Sequence, residues 1–212
     1  MAEATVVRLP VVQTSERGTN AREKILEVAE QLIVQYGSNG FSYRHISDAI
    51  GIRKASIHHH FPTKVDLILE LGEIKAGSFF TRMNQIMVSK ASALEKLDRY
   101  FGLFEENFIH GCGASVSFFG MLGAEIESQD DRVASGVRNF FRENISRLSA
   151  MIAEGMEEGT LRRTGNPEVM AAAIFSMLEG AMIIVRAGGD VSQYSQIIAH
   201  ILQLITADDG TP

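Results

Sequence analysis

Cysteine is nearly absent from this chain: Cys112 stands alone among 212 residues, which excludes an internal disulfide framework and fits a reducing cytoplasm. Long apolar runs are missing as well. The N-terminal stretch VVRLPVVQT is interrupted by Arg8 and Pro10 and is too short for a signal peptide. The longest later run, AIFSMLEGAMIIV, is broken by Glu179, so no membrane span is expected. The usual catalytic signatures are not there either: no G-x-S-x-G, no P-loop, no H-E-x-x-H and no complete G-x-G-x-x-G, since Gly111-Cys112-Gly113 stops short. An enzyme is therefore not expected. A small helical enzyme remains an alternative that would have to turn over a substrate, and no group fitted to that work stands out.

What is present is helical period throughout, with neither strand alternation nor an internal repeat. A hydrophobic share of 45% is ample for a buried core. The fold class expected is all-α, with about nine helices. Residues 1–18, mixing Thr, Ser, Gln, Pro and Gly, read as a disordered tail; Arg8 or Arg17 there could serve as a minor-groove arm, but the plain tail is the simpler reading.

The net charge of −6 is unevenly spread. Residues 1–71 hold 8 Lys+Arg against 8 Asp+Glu and four of the six histidines, while residues 72–212 hold 12 against 18. Within residues 41–64 the one acid is Asp48, facing Arg44, Arg53, Lys54 and Lys64, so the local sign suits phosphate. Those four cations in both halves of a dimer would give a logarithmic salt slope of about −7, at roughly 0.9 per neutralised phosphate.

That basic stretch, FSYRHISDAIGIRKASIHHHFPTKVDL, is the most informative in the chain. Ser42 is placed to cap a helix, with Phe41 and Ile46 as a hydrophobic staple, and Ile46, Ala49 and Ile50 form its buried stripe. Gly51 follows where a tight bend needs positive φ. In the next helix Ile57 and Phe61 fall on one face, leaving Arg53, Lys54, Ser56, His58 and His60 for the others. Pro62 breaks the helix, and Thr63 with Asp66 caps the following one, which begins at Lys64. A major groove about 12 Å wide accepts one helix of this kind and is read by side-chain donors.

With the helix before it, from Asn20 to Gly37 along the stripe Ile25, Val28, Ala29, Leu32 and Tyr36, this segment resembles the TetR family of transcriptional repressors over residues 20–70. The residues that carry the resemblance are Ser42, Ile46, Ala49, Gly51, His58 to Phe61 and Lys64. Two positions depart from the pattern: His58 stands where Tyr is usual, and Arg53 where a small hydroxyl residue is common. The resemblance implies that Lys54, Ala55 and Ser56 meet base edges, with Tyr43 and Arg44 reaching from the helix before and Ser42 at its start. His58, His59, His60 and Lys64 would then hold the DNA backbone. Arg44 and Lys54 are the candidates for guanine, whose O6 and N7 pair with such cations. His59 could instead pack against the core of the three-helix head.

Three successive histidines also invite a metal, but helical neighbours point about 100° apart and cannot converge on one ion. No metal and no cofactor are expected. Residues 19–66 are read as a helix-turn-helix DNA-binding domain and residues 67–212 as a ligand-binding and dimerisation domain. The fourth helix, from Thr63, carries Leu67, Leu71, Ile74, Met83 and Met87. A fifth, capped at Ser92 with Glu95, carries Leu94, Leu97, Phe101, Phe104 and Phe108. The sixth carries Val116, Phe119, Leu122 and Ile126, and the seventh runs from Val133 to Met156, ending before Gly159.

Asn166 and Pro167 announce an eighth helix with apolar residues on two sides: a small-residue ridge of Ala172, Ser176 and Gly180, and a bulkier one of Ile174, Met177, Leu178, Ala181 and Val185. A ninth follows Gly188 and Gly189 with Tyr194, Ile197, Ile198, Ile201, Leu202 and Ile205. Their spare surfaces suit a symmetric four-helix interface, which agrees with the family's usual homodimer; a buried helix inside a monomer is the other reading. The resemblance places a small-molecule effector among these helices, with Tyr100, Phe104, His110, Cys112, Phe119, Glu125, Asn139, Met177 and Glu179 as candidate contacts. Cys112 could alternatively be a thiol sensor of oxidants or electrophiles, or a small buried hydrophobe. The function expected is a ligand-responsive, homodimeric repressor of a near-palindromic double-stranded DNA operator, with a constitutive DNA-binding protein as the alternative without effector.

Overall fold

The computed structural model describes residues 20–110, 117–163 and 165–207. The expected tail, Cys112 with its flanking glycines, and Val116 lie outside them. Among the described residues the chain forms nine α-helices: α1 (Ala21–Tyr36), α2 (Tyr43–Ile50), α3 (Lys54–His60), α4 (Lys64–Met87), α5 (Ala93–His110), α6 (Phe118–Ala124), α7 (Asp131–Glu158), α8 (Pro167–Gly188) and α9 (Ser192–Ile205). A 3-10 turn, Ile126–Ser128, sits between α6 and α7. The fold is all-α; the one β-type pairing among the described residues is a single antiparallel bridge, Leu161 with Thr206.

Helices α1, α2 and α3 pack together as a small head. The start of α1 is set by Asn20, whose side chain accepts from the Arg22 amide, as an N-cap residue should. Phe41 and Ile46 are both buried at the start of α2, where the Ser42 amide donates to His45 Nδ1 at 3.0 Å in a reciprocal capping box. Gly51 ends α2 at φ +72°, the left-handed conformation that lets α3 begin at a sharp angle. Ile57 and Phe61 are buried beneath α3 among Ile25, Leu32 and Ile46.

The fourth helix opens on the expected capping box of Thr63 and Asp66 and is long enough, at 24 residues, to leave the head and pack along the body. It rests on α1 at one end and on α5 and α7 further along. Leu67, Ile68, Leu71, Met83 and Ile86 are its buried residues. Ile74, expected inside, is 48% exposed, on the stretch of α4 between its two buried groups, Leu67 to Leu71 and Met83 to Ile86. The Ser92–Glu95 cap of α5, the Gly159 stop of α7 at φ +77° and the Asn166–Pro167 start of α8 all form as expected. The sixth helix is shorter than expected, ending at Ala124 so that Ile126 enters the 3-10 turn.

In the body, α7 is the central element, touching α4, α5, α6 and α8. Its core is aromatic. Phe119 and Phe140 stack at 3.7 Å, and Phe79, Phe104, Phe141 and Phe175 surround them at ring separations of 5.3–6.1 Å in tilted or edge-on pairs. Helix α8 is long and apolar enough to cross a membrane, yet Ile174, Phe175, Leu178, Met182 and Val185 bury themselves against the body.

Candidate nucleic-acid interface and interior site

Seven residues make up α3, and its outer surface carries Lys54, Ala55, Ser56, His58 and His59, all exposed, with His60 half-buried. Arg53 at its N-cap, Ser42 at the start of α2 and Arg44 on α2 are exposed beside it. Arg44 lies 3.6 Å from Asp48 one turn on; both are well solvated, so this pair holds the guanidinium loosely and leaves it available. His58 Nδ1 lies 3.2 Å from the Pro62 carbonyl, and its ring is set edge-on to Tyr43 at 4.8 Å, which fixes the imidazole at the end of α3. His59 does not pack into the head; it contacts His60 instead.

Two residues assigned to DNA contact are turned inward. Tyr43 is buried, with its hydroxyl donating to the Phe61 carbonyl at 2.9 Å; burial and then the Asp66 carboxylate push its ionisation up to about 12. Its work is to tie α2 to the end of α3, because Phe61 closes α3 and leaves that carbonyl otherwise unpaired. Lys64 sends its ammonium back to the Phe41 carbonyl at 2.7 Å and over the Phe41 ring at 4.2 Å. Burial lowers its pKa while the Glu125 carboxylate raises it. A lysine so engaged fixes the α4 junction and is poorly placed for phosphate.

The head is also latched to the body by side chains that sequence reasoning missed or misassigned. Glu125, expected among the effector contacts, accepts from both the Ser38 amide and the Ser38 hydroxyl at 2.7 Å, and Gln129 donates to the same hydroxyl at 2.7 Å. Asn39 donates to the Ser128 hydroxyl at 2.8 Å. Gly37, at φ +80°, is required here: a Cβ would overlap the Glu125 carboxylate. On the other flank Arg186 of α8 donates to the carbonyls of Val34 and Gln35, both at 3.1 Å, neutralising the negative end of α1. The turn spelled Gly-Ser-Asn-Gly after α1 was the available signal for the first latch; nothing local in sequence announces the second.

The remaining candidates for effector contact divide. Tyr100, Phe104 and Phe119 are buried in the body core. The Tyr100 hydroxyl exchanges hydrogen bonds with Asn144 at 3.1–3.3 Å, a self-contained buried pair. Glu179 lies beneath α6, with the Ser117 hydroxyl 2.8 Å from both carboxylate oxygens, and burial pushes its pKa up to about 7. Gly120 is glycine because a Cβ would run into that carboxylate. Asn139 is exposed on α7, accepting from Arg142 at 2.7 Å, and borders an open groove between α4 and α7. Met177 is 39% exposed, at the edge of the ridge of α8 whose Ile174, Leu178, Ala181 and Val185 are buried, and it borders the groove shared with Gly180 and Ile184. The side chain of His110, like Cys112, lies outside the described residues. No group of three His, Cys, Asp or Glu able to hold a metal occurs among the described residues.

Comparison with known proteins bears on both parts. Residues 25–71 match the profile of the bacterial regulatory proteins of the tetR family, and residues 94–201 that of the tetracyclin repressor-like C-terminal domain. A TetR-family transcriptional regulator from Agrobacterium tumefaciens is 33% identical, with 88% of this chain and 97% of that one covered and a TM-score of 0.82. The chain belongs to the TetR family of transcriptional regulators. Other TetR relatives include the transcriptional repressor KstR2 of Mycobacterium tuberculosis, 28% identical over 66% of this chain and 69% of its own. The nucleoid occlusion factor SlmA of Photobacterium profundum is 24% identical over 91% and 97%. In TetR terms, α2 and α3 are the helix-turn-helix.

Proposed function

We propose that this TetR-family regulator is a homodimeric repressor that binds a near-palindromic operator and leaves it when a small molecule binds the body. Residues 19–66 serve as the DNA-binding domain and residues 67–212 as the effector and dimerisation domain. The observation that carries this reading is the outer surface of α3 and its N-cap: Arg53, Lys54, Ser56, His58 and His59 all exposed on a helix whose other side is locked down by Ile57 and Phe61. Lys54, Ala55, Ser56 and Arg44 read base edges; Ser42, Arg53, His58, His59 and His60 hold phosphates.

Pairing of two copies is supported by the free side of α8 and α9. Met177, Ile184, Ile197 and Leu204 line an apolar groove there with Gly180 at its floor, and Ile184 is 67% exposed. Exposed apolar surface of this extent calls for a partner, and a twofold arrangement lets the same ridge fill its own copy. The dimer would set two α3 helices about 34–36 Å apart, one turn of duplex.

The body reaches the head through two side-chain latches besides α4: Glu125 at the end of α6 and Arg186 at the end of α8. An effector that favours one packing of α6 and α8 would therefore favour one setting of the heads, by no more than its differential affinity for the two settings. Fluorescence anisotropy on a duplex selected from a random pool tests the proposal together with sedimentation. Wild-type protein should sediment as a dimer and bind, Lys54→Ala should bind more weakly as a dimer, and Ile184→Glu should yield monomers that no longer bind at the same concentration. A wild-type monomer, or indifference to duplex, would overturn it.

A further inference from the structure

Polar groups of α5, α8 and α9, with Ser117 at the N-cap of α6, lie in the body with no cation paired to them among the described residues. Glu179 is enclosed by helices yet keeps some accessible surface, and its one hydrogen-bond donor among the described residues is the Ser117 hydroxyl. A carboxylate has room for about four such bonds, so one hydroxyl leaves it under-satisfied. Tyr194 of α9 is fully buried, and its hydroxyl has no hydrogen-bond partner among the described residues. Burial first, then the Glu179 and Glu105 carboxylates, raise its ionisation above the ordinary phenol range. Glu105 accepts from the Ser195 hydroxyl. No Lys, Arg or His side chain pairs with either acid among the described residues. The ring of Tyr194 lies against Phe108 at 4.6 Å, and one turn before Phe108 and Glu179 on their helices Phe104 lies 6.0 Å from Phe175, which sets aromatic rings against Tyr194 and on the turn next to the one that carries Glu179.

We infer that this centre recognises a cation: the effector is an amine with an apolar body, its ammonium held by Glu179, with the Tyr194 oxygen and aromatic ring faces beside it. The inference rests on the reading of the body as an effector domain. A buried carboxylate without a counter-charge is costly, and an ammonium supplies both the charge and three donors. Ring faces attract the same charge. An anionic ligand would meet two acids, and a neutral alcohol could satisfy only one of the open positions. Because Ser117 and Glu179 lie at the first turn of α6, and Glu125 at its last holds Ser38, occupancy would act on an element that already touches the head.

Three probes with one shared body separate the outcomes: 4-phenylbutylamine, 4-phenylbutanol and 4-phenylbutyrate, titrated calorimetrically into the full chain. The amine should bind tightest, and Glu179→Gln should weaken it by about tenfold or more while leaving the alcohol unchanged, as loss of a charge-assisted hydrogen bond requires. Glu105→Gln should weaken it less. Circular dichroism melting shows that each variant is folded, and Tyr194→Phe, which removes only the hydroxyl, gives a second route to the same answer. Equal binding of amine and alcohol, preference for the carboxylate, no binding of the amine at millimolar concentration, or full amine affinity in Glu179→Gln would overturn the inference and leave ordered water as the partner of these groups. Operator binding by the ligand-free wild type is scored separately: its absence would sink the repressor reading while the amine preference could still stand.

Discussion

On the outer face of α2 and α3 the exposed charges are mostly cations, whereas the body carries two acids, Glu179 and Glu105, away from full solvent exposure. Arg53 and Lys54 stand in solvent, and Arg44 is only loosely paired; Glu179 and the half-buried Glu105 are met by hydroxyls, Ser117 and Ser195, with no counter-charge among the described residues. Exposed cations cost little to keep and act at long range on a polyanion. An enclosed carboxylate is retained against its own desolvation, which makes it a candidate for recognition in place of stability. On the proposed function the difference separates the two tasks: the head would meet a partner of fixed charge and changing sequence, and the body one small molecule.

The largest effects should fall on the body core. Phe140→Ala removes the ring stacked on Phe119 and should cost about 3–5 kcal/mol, read by urea unfolding followed by circular dichroism. A head that kept its helicity at denaturant concentrations where the body had melted would sharpen the comparison; one cooperative transition would weaken it.

Next comes the pH dependence of the buried acid. Glu179 is raised from an ordinary 4.5 to about 7, so between those values the folded state holds a proton that the unfolded state has released. Stability contributed by the protonated form is therefore intact below about pH 4.5 and is lost as pH rises through 7. The full change is about 3 kcal/mol at roughly 1.4 kcal/mol per pKa unit. Glu179→Gln should flatten that fall in a pH series of melting temperatures; a parallel curve would remove Glu179 as its source.

Smaller effects test the head. Tyr43→Phe deletes the buried bond to the Phe61 carbonyl and should lower stability by about 1–3 kcal/mol while leaving base preference untouched. A changed base preference in this variant would return Tyr43 to the DNA surface. Lys54→Ala should cost about 1–3 kcal/mol in operator binding and relax one base position. With Lys64 turned inward, three cations per head remain, so a dimer should show a logarithmic salt slope of about −5, at roughly 0.9 per phosphate. Lys64→Met should leave that slope unchanged; a slope near −7 that Lys64→Met reduces would mean the side chain swings out to phosphate on binding.

Much of the fold was legible because local rules agree with one another here. The caps at Asn20, Thr63, Ser92 and Asn166 and the stop at Gly51 are written in residue types whose hydrogen bonding is local. The exposed side of α3 was legible for the same reason: Ile57 and Phe61 determine which side is left. Tyr43 and Lys64 misled because each has a polar tip on a long or broad stem, and only the tertiary fold reveals an unpaired carbonyl, at Phe61 or Phe41, within its reach. Met177 stands at the edge of the buried ridge of α8, and periodicity alone does not say how wide that ridge is. The latches of Glu125 and Arg186 join residues 87 and about 150 positions apart, and no local pattern encodes such a pairing.

Sequencing the duplexes that the purified wild-type chain retains from a random pool tests the central claim most directly. The account predicts an inverted repeat whose half-sites lie about one helical turn apart. Lys54→Ala should recover the same repeat with one position per half-site degraded. A single unpaired site, or no enrichment over the starting pool, would contradict it.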